Sequence, residues 1–150
     1  VTWEFEPGFA FNKPSYILKV LDKLQHDNFG LMYDTCHGQM LGIVGARQQG
    51  EKELVKDQIE LINKFSGRIN HIHLIDSDNT CHKDADGNDE TSAHPPFGDG
   101  LLDFDQIVPV LAKENVGHDW WTVDLCFWPE AWDATEKCKT ALDGLVSKYG

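Results

Sequence analysis

The hydrophobic and polar positions along the chain follow a repeated order of strand and then helix. Short apolar runs, alternating or continuous, predict strands at 2–6, 29–33, 69–75 and 120–125. Apolar residues at helical spacing follow each run, at 17–24, 51–65, 104–111 and 134–145. The pattern therefore predicts four βα units in a single domain, and the last strand, which is almost continuously apolar, is expected to be buried.

Helix starts and loops carry signals of their own. Asn12 or Ser15 is the expected N-cap of the first helix, and Asp103 is the expected N-cap of the third. The glycine-rich stretch 38–50 predicts a loop. The polar stretch 77–100 is too long for a simple connection, so we expect it to contribute to function.

Four parallel strands separated by helices form an open sheet. Such a sheet leaves two unpaired edges and an apolar inner face, which eight strands normally fill with side chains. We therefore expect an α/β fold of the (β/α)8 TIM-barrel type, with only about four βα units, half a barrel, in the 150 residues. The other half would be a missing N-terminal half barrel or a second copy in a homo-oligomer, and this isolated half is expected to be inactive.

The net charge of −12 limits the partners of the chain. Without a basic field, neither a nucleic-acid backbone nor an anionic membrane is a favoured partner, whereas clustered carboxylates suit a hard divalent cation. No apolar run approaches the roughly 20 residues of a membrane span. Cys36, Cys81, Cys126 and Cys138 are scattered without a C-x-x-C pair, which argues against a structural zinc site and favours a reducing, cytoplasmic location, although spacing leaves a disulfide open.

The third predicted strand carries the strongest candidate chemistry. His71 and His73 share one face of it, and acidic residues stand near the ends of two neighbouring strands, Glu4 and Glu6 in the first and Asp34 after the second. A histidine on a half-buried strand is more often a packing residue than a ligand. The C-terminal ends of βα-barrel strands, however, meet at one place. We therefore predict a metal or catalytic site with His73 as its imidazole.

Four motifs support a more specific interpretation: Glu4-Phe-Glu-Pro-Gly8, Asp34-Thr-Cys-His37, His71-Ile-His73-Leu-Ile-Asp76 and His94-Pro-Pro-Phe-Gly-Asp-Gly100. Together they resemble the C-terminal half of the sugar phosphate isomerase/epimerase superfamily, the xylose isomerase-like TIM barrels related to endonuclease IV. The resemblance covers essentially the whole chain, residues 1–150, as strands five to eight of the barrel with their helices. It implies that the N-terminal half of the barrel is absent.

The resemblance implies one divalent metal ion held by four residues, Glu4, Asp34, His73 and Asp124. Three carboxylates and one imidazole favour Mn²⁺ or Mg²⁺, with Zn²⁺ or Co²⁺ as alternatives. Glu6 shares a face with Glu4 and is the alternative ligand, but Glu4 matches the family's Glu-x-x-x-Gly spacing. Family members usually have Glu on the last strand, so the shorter Asp124 departs from the pattern and its reach as a base is in doubt.

The resemblance also implies roles around the metal ion. Catalytic roles fall to Glu4, Asp124 and His37, and substrate contacts fall to Glu6, His94 and Trp128. His71 is expected to pack or to support the ligands. Histidines without a motif, expected in solvent, are His26, His82 and His118.

The implied function is a divalent-metal-dependent isomerase or epimerase. It would act on a small-molecule sugar or sugar derivative by proton transfer through a metal-stabilised enediolate. One alternative is an endonuclease IV-like metal-dependent hydrolase, which would need further histidine ligands and a basic surface that the charge of −12 does not provide. The other is a non-catalytic, carbohydrate-binding member of the fold, because a fold does not fix a function.

Overall fold

The computed structural model describes residues 1–114 and 120–150. A four-stranded parallel sheet has the order β1 (Thr2–Glu4), β2 (Gly30–Asp34), β3 (Ile69–Leu74) and β6 (Trp121–Val123), and a separate antiparallel hairpin pairs β4 (Cys81–Lys83) with β5 (Asp89–Ser92). The helices are α1 (Pro14–Lys23), α2 (Thr35–Gly38), α3 (Gln58–Lys64), α4 (Phe104–Glu114) and α5 (Ala131–Tyr149). The predicted α/β fold with a half-barrel sheet is therefore confirmed.

The hydrophobic core lies between one face of the sheet and the helices. The strands contribute Leu31, Tyr33, Ile72 and Leu74, and the helices contribute Ile17, Leu21, Leu61, Ile62, Ile107, Val108, Leu111 and Cys138, all buried. Each large aliphatic side chain buried in this way contributes about 1.5–3 kcal/mol. This layer holds the strands in place, so that their C-terminal ends lie side by side.

The other face of the sheet is polar, so the expectation of an apolar inner face was wrong. Strand register places on it Glu4, Met32, Asp34, His71, His73, Thr122 and, beyond the end of β6, Asp124. All of these except Asp34 are only half-buried. Carboxylates and imidazoles gather on this face, whereas the aliphatic side chains gain by packing under the helices.

The helix predicted over 51–65 is shorter than expected, because α3 begins only at Gln58. The Asp57 side chain caps it by accepting a hydrogen bond from the Glu60 N–H at 2.9 Å. Upstream, the Gln48 side chain holds Glu53 through both its backbone N–H (2.8 Å) and its carbonyl (3.1 Å). These bonds fix the stretch before Asp57 in a non-helical conformation.

The start of α1 differs from the prediction as well. Neither expected N-cap acts as one, because Asn12 donates to the Arg47 carbonyl and Ser15 donates to Glu53. Lys13 occupies the N-cap position but its side chain donates to the Glu51 carbonyl and does not cap the helix, while the Glu53 carboxylate accepts the Ser15 N–H at 2.9 Å. A carboxylate distant in sequence thus caps this helix.

Both predicted loops contain regular structure. The start of the glycine-rich stretch is helical, because α2 continues directly into a π-helical segment, Gln39–Val44, that ends at Gly45 with φ of 66°. The long polar stretch contains the β4–β5 hairpin. π-helical segments are frequent at functional sites, and this one follows directly on Asp34 and α2.

The last strand is shorter and more exposed than predicted. β6 spans Trp121–Val123, its residues are half-buried, and Trp120 is 76% exposed. Among the described residues β6 pairs with β3 alone, which makes it an edge strand. Of the helices in the described parts of the chain, none has the length and apolar character needed to cross a bilayer.

Candidate active site

Strand register brings Asp34 and His73 next to each other. In the parallel pairing of β2 with β3, Asp34 is the direct partner of His73, at the C-terminal ends of both strands. Asp34 is also the N-cap of α2, because its Oδ1 accepts the His37 backbone N–H at 2.8 Å. This explains the Asp-Thr-x-His spacing: the cap fixes the Asp34 carboxylate and turns the chain so that His37 follows at the same rim.

Glu4 and Asp124 also reach Asp34 and His73, although they lie at different positions along the strand direction. Glu4 pairs with Met32, two residues before Asp34, so it lies lower on the sheet and its longer side chain reaches up. Asp124 follows the end of β6 and lies above the level of His73, so a shorter side chain suffices. The departure from the usual Glu on this strand therefore does not remove the residue from the cluster.

The carboxylates of Glu4, Asp34 and Asp124 converge on the Nδ1 atom of His73. This atom lies 3.3 Å from Glu4 Oε1, 3.3 Å from Asp124 Oδ2 and 3.9 Å from Asp34 Oδ2. One ligand atom from each residue lies within 4.8 Å of those of the others. Two ligands about 2.1 Å from a shared ion at the tetrahedral angle are about 3.4 Å apart. The arrangement therefore fits a divalent cation.

Three buried polar atoms of the cluster have no hydrogen-bond partner among the described residues. Glu4 Oε1, Asp34 Oδ2 and His73 Nδ1 are buried and make no hydrogen bond with any described residue. Leaving such atoms unsatisfied costs about 1–3 kcal/mol each, and more for a charged group. A bound cation would satisfy all three at once, which is the strongest structural argument that these residues hold a metal ion.

The electrostatics of the cluster also suit a cation. Burial, together with the charges of Glu4 and Asp124, raises the pKa of Asp34 well above its usual range. Burial lowers the pKa of His73, but the carboxylates of Asp124, Glu4 and Asp34 outweigh it and raise the pKa to about 10. Without a metal ion the cluster thus retains a proton on His73, where a cation is most favourable.

His37 lies against this cluster as a neutral imidazole. Its Nδ1 is 3.0 Å from Ser92 Oγ on the hairpin, and its Nε2 is 4.0 Å from Glu4 Oε1. Burial, followed by the neighbouring His94, lowers the pKa of His37 to about 3. Ser92 fixes the ring, so that Nε2 faces Glu4. The sequence analysis identified His37 but missed Ser92, which carries no motif.

His94 is almost fully enclosed between two carboxylates. It is 1% exposed, with Nε2 3.9 Å from Asp34 Oδ1 and Nδ1 3.8 Å from Asp124 Oδ2. Burial lowers its pKa to about 4 against the opposing attraction of Asp124 and Glu4. The predicted position of His94 beside the metal-ligand candidates is therefore observed, while its contact with substrate stays a prediction.

Asp76 is a structural residue that the sequence analysis did not assign to any role. Its buried carboxylate accepts backbone N–H groups from Ser77, Gly98, Gly100 and Leu102 at 2.9–3.1 Å. These bonds fasten the segment that follows His94 to the end of β3. Gly100 is required there, because a Cβ would lie 2.3 Å from Asp76 Oδ1.

A pocket of about 790 Å³ opens beside the cluster. Its lining includes Glu4, Glu6, His37, His94, Asp124 and Cys126, with Phe9 and Phe127 as aromatic walls and Arg47 at the rim. Glu6 accepts a hydrogen bond from Thr91 Oγ1 at 2.8 Å and faces the pocket rather than His73. Glu4 therefore belongs to the cluster around His73, whereas Glu6 lies in a different possible ligand group, with Glu4 and His37.

Residues 2–143 match the family described as the xylose isomerase-like TIM barrel. The chain belongs to this family. No curated protein matches the chain closely enough to count as a relative.

Solved structures with the same fold include the following three. A xylose isomerase domain protein from Planctomyces limnophilus has 15% identity and a TM-score of 0.62 over 97% of this chain and 44% of its own. The 3-keto-D-glucoside 4-epimerase from E. coli has 14% identity and a TM-score of 0.58 over 96% and 44%. A probable 3-DHS dehydratase involved in petrobactin synthesis in Bacillus anthracis has 21% identity and a TM-score of 0.62 over 95% and 48%. This chain therefore spans less than half the length of each of these three proteins.

The predictions for the other histidines and for Trp128 have different outcomes. His71 supports the neighbouring strand, with Nε2 3.1 Å from Thr122 Oγ1. His26 is exposed as expected, but His82 is half-buried, with its ring edge-on to Phe127 at 5.5 Å. His118 lies outside the described residues. Trp128 is half-buried and is not among the residues that line the pocket, so its contact with substrate stays a prediction.

Proposed function

We propose that the chain belongs to a divalent-metal-dependent enzyme that isomerises or epimerises a sugar or sugar derivative. One observation carries this proposal: the side chains of Glu4, Asp34, His73 and Asp124 converge, and the first three each present a buried atom without a hydrogen-bond partner. Mn²⁺ or Mg²⁺ suits a set of three carboxylates and one imidazole best. Because the chain spans less than half the length of the matched structures, the activity concerns the whole protein.

Glu4 and Asp124 are the proposed proton-transfer pair. A divalent cation held by the four residues would polarise the carbonyl and adjacent hydroxyl oxygens of a sugar. Glu4 comes from β1 and Asp124 from the end of β6, on opposite sides of Asp34 and His73 in the sheet order. Two carboxylates on opposite sides can remove a proton from one face of a carbon and return one to the other, as epimerisation requires.

His37, Glu6 and His94 are the proposed contacts to sugar hydroxyls. His37 is neutral and oriented by Ser92, so it can exchange hydrogen bonds with a hydroxyl without adding charge. Burial raises the pKa of Glu6, the charges of Glu4 and Asp124 add to this, and the hydrogen bond from Thr91 opposes it. The hydrogen bond from Thr91 to Oε2 holds Glu6 in the pocket and leaves its other oxygen for substrate.

The aromatic walls complete the proposed sugar pocket. Phe9 and Phe127 are 63% and 71% exposed, and both line the pocket. Phe127 has a φ of 57°, which is costly for a bulky residue and is typical of functional sites. An aromatic ring at this place packs against the apolar face of a sugar and keeps water from the reacting carbon.

The proposal is tested by hydrogen exchange into the substrate. The whole protein that contains this chain, loaded with Mn²⁺, is incubated in deuterated water with a panel of aldoses, ketoses and keto-glycosides, and NMR follows deuterium at the carbon beside the carbonyl. Asp124→Asn and Glu4→Gln should each slow exchange by about 10²–10⁴-fold, while Glu130→Gln, an exposed residue outside the pocket, should leave it unchanged.

The possible outcomes separate the proposed functions. Exchange that persists in Asp124→Asn would limit Asp124 to a ligand. A whole protein that binds metal ion and sugar but never exchanges hydrogen would instead be the non-catalytic, carbohydrate-binding member. The nuclease alternative has less support, because the charge of −12 offers no general attraction to DNA.

A further inference from the structure

The backbone of His37 is fixed by α2, but the orientation of its ring needs a further contact. The His37 N–H donates to Asp34 Oδ1 at 2.8 Å, which places the residue in the first turn of α2. The His94 ring lies against the His37 ring, with 4.8 Å between the ring centroids. The χ2 angle of a histidine is broad and roughly two-fold, so packing alone distinguishes poorly between a ring and its flipped form. A hydrogen bond to one ring nitrogen is what decides between them.

Ser92 makes this hydrogen bond from the hairpin. Its Oγ lies 3.0 Å from His37 Nδ1, and both residues are buried. Among the residues that the structure describes, Ser92 is the only hydrogen-bond partner of the His37 ring. The other nitrogen, Nε2, is thereby directed to carboxylates, and it lies 4.0 Å from Glu4 Oε1. One oxygen of Glu6 also lies within 4.8 Å of a nitrogen of this ring.

The Ser92 hydroxyl is itself held in place by its neighbour in the chain, Ala93. The Ala93 N–H donates to the Thr80 carbonyl at 3.0 Å, and the Ala93 carbonyl accepts a hydrogen bond from Cys36 Sγ at 3.0 Å. These bonds fasten the end of β5 to α2. The Cys36 thiol also lies near the Ser92 hydroxyl, but sulfur is a weak acceptor and the thiol hydrogen is directed to Ala93. The hydroxyl proton of Ser92 is therefore left for His37.

The charges around the His37 ring favour a proton on Nε2. At about pH 8 an imidazole of ordinary pKa is neutral, so it has one N–H and one acceptor nitrogen. An acceptor nitrogen that faced the Glu4 carboxylate would place lone pairs against lone pairs, whereas an N–H at that position is attracted. With the proton on Nε2, the other nitrogen is an acceptor and matches the Ser92 O–H.

We propose that Ser92 is a positioning residue, which donates to His37 Nδ1 and holds His37 as the Nε2–H tautomer, so that His37 donates a hydrogen bond to an oxygen of the substrate. This inference rests on the proposed function and gives the contact between His37 and the sugar a single direction. It also has a consequence for metal binding. A nitrogen that carries a proton has no lone pair for a cation, so Nε2 of this tautomer is not a metal ligand.

Nitrogen NMR measures the tautomer independently of activity. The whole protein that contains this chain is labelled with nitrogen-15 in its histidines, loaded with diamagnetic Mg²⁺ and measured at about pH 8. The chemical shifts distinguish an N–H from an acceptor nitrogen, and the signals of His37 are those that His37→Gln removes. The wild type should have its proton on Nε2. Ser92→Ala should raise the ratio of the Nδ1–H to the Nε2–H form about two- to tenfold, because one hydrogen bond is lost.

Thr91→Val is the matched control for Ser92→Ala. It removes the neighbouring hydroxyl, which lies on the opposite face of β5 and donates to Glu6 at 2.8 Å, and it should leave the His37 tautomer unchanged. Thermal melting confirms that each variant is folded. A wild-type His37 with its proton on Nδ1, or an unchanged tautomer ratio in Ser92→Ala, overturns this inference. Both results are readable in a protein that exchanges no hydrogen into sugars, a failure that would contradict the proposed function instead.

Hydrogen-exchange kinetics test the contact with substrate in the active whole protein. Ser92→Ala should raise KM about two- to tenfold with little change in kcat, because a hydrogen bond to a sugar oxygen is made in the bound substrate as well as in the transition state. A tautomer that changes in Ser92→Ala while KM stays at the wild-type value would show that His37 does not donate to the substrate, and would overturn the inference.

Discussion

The two carboxylate oxygens of Asp34 have different partners. Oδ1 accepts the His37 N–H at 2.8 Å and so holds the start of α2, whereas Oδ2 is buried, accepts no hydrogen bond from the described residues and lies 3.9 Å from His73 Nδ1. The residue is fully buried beside Glu4 and Asp124, and burial with these charges raises its pKa. The negative charge of Asp34 therefore destabilises the folded chain when no cation is bound, and a bound metal ion would offset this cost.

Asp34→Asn should separate these two effects. The amide oxygen can still accept the His37 N–H, and the buried charge is gone. We expect a melting temperature in chelator at least equal to that of the wild type. In Mn²⁺ at a hundred times its Kd the wild type should gain about 2.7 kcal/mol and the variant far less. Thermal melts with and without Mn²⁺ measure this, with the exposed Asp27→Asn as control. Equal stabilisation of both chains by Mn²⁺ would contradict the assignment.

The buried histidines predict a loss of stability in acid. The folded-state pKa values of His37 and His94 are about 3 and about 4, against 6.5 for an unperturbed imidazole, mainly because of burial. A lowered pKa means that the neutral form is favoured in the fold. The resulting stability is fully present above pH 6.5 and is lost as the pH falls toward about 4.

His94→Gln tests this loss in the metal-free chain. The variant should show a shallower decrease in the free energy of unfolding between pH 6.5 and about 4, measured by urea denaturation in chelator. The raised pKa of Asp34 acts in the opposite direction, so the difference between variants isolates the histidine. His26→Gln, at an exposed position, should follow the wild type. Parallel pH curves for His94→Gln and wild type would show that the buried ring is not held neutral.

At the scale of single residues, the sequence predicted the candidate metal ligands better than the residues that orient the side chains around them. Carboxylates and an imidazole at strand ends point to one edge of a parallel sheet, so the convergence of Glu4, Asp34 and His73 could be expected from strand order alone. Ser92 could not, because its bond to His37 spans 55 residues through a hairpin that the pattern did not predict. Which oxygen faces the cluster likewise depends on the cap of α2.

At the scale of elements, one carboxylate fastens the segment after the hairpin. Asp76→Ala should cost about 3 kcal/mol in the free energy of unfolding, because four backbone N–H groups lose a buried charged acceptor. Urea denaturation measures the loss, and Asp78→Ala, which affects only local bonds to Thr80, is the control. Equal stability of the two variants would mean that this segment is held in place by other contacts.

The elements also show where a periodic pattern is insufficient. The apolar spacing over 51–65 is helical, yet the bonds between Gln48 and Glu53, and the hydrogen bond that the Glu53 carboxylate accepts from Ser15, keep the first half out of a helix. Such bonds join residues through side chains and leave no trace in hydrophobic periodicity. The last helix was predictable, because Ala134 and Cys138 lie on its buried face as its spacing indicates.

At the scale of the whole molecule, the sheet has open edges. Among the described strands β1 pairs only with β2 and β6 only with β3, and Trp120, beside β6, is 76% exposed. Unpaired parallel edges with exposed aromatic residues favour association. We expect the isolated chain to form dimers or larger species in sedimentation experiments at micromolar concentration. A monodisperse monomer with one sharp cooperative melt would contradict this expectation.

The central claim, a metal ion held by the cluster around His73, is tested most directly by counting bound ions. After equilibrium dialysis against Mn²⁺, elemental analysis should find one ion per wild-type chain and a marked loss in His73→Gln. His71→Gln is the matched control, since His71 lies two residues away on the same strand, where its Nε2 is 3.1 Å from Thr122 Oγ1 and its ring lies edge-on to that of His73. We predict that it keeps the ion. Equal occupancy in His73→Gln and His71→Gln, or no ion in the wild type, would contradict the account.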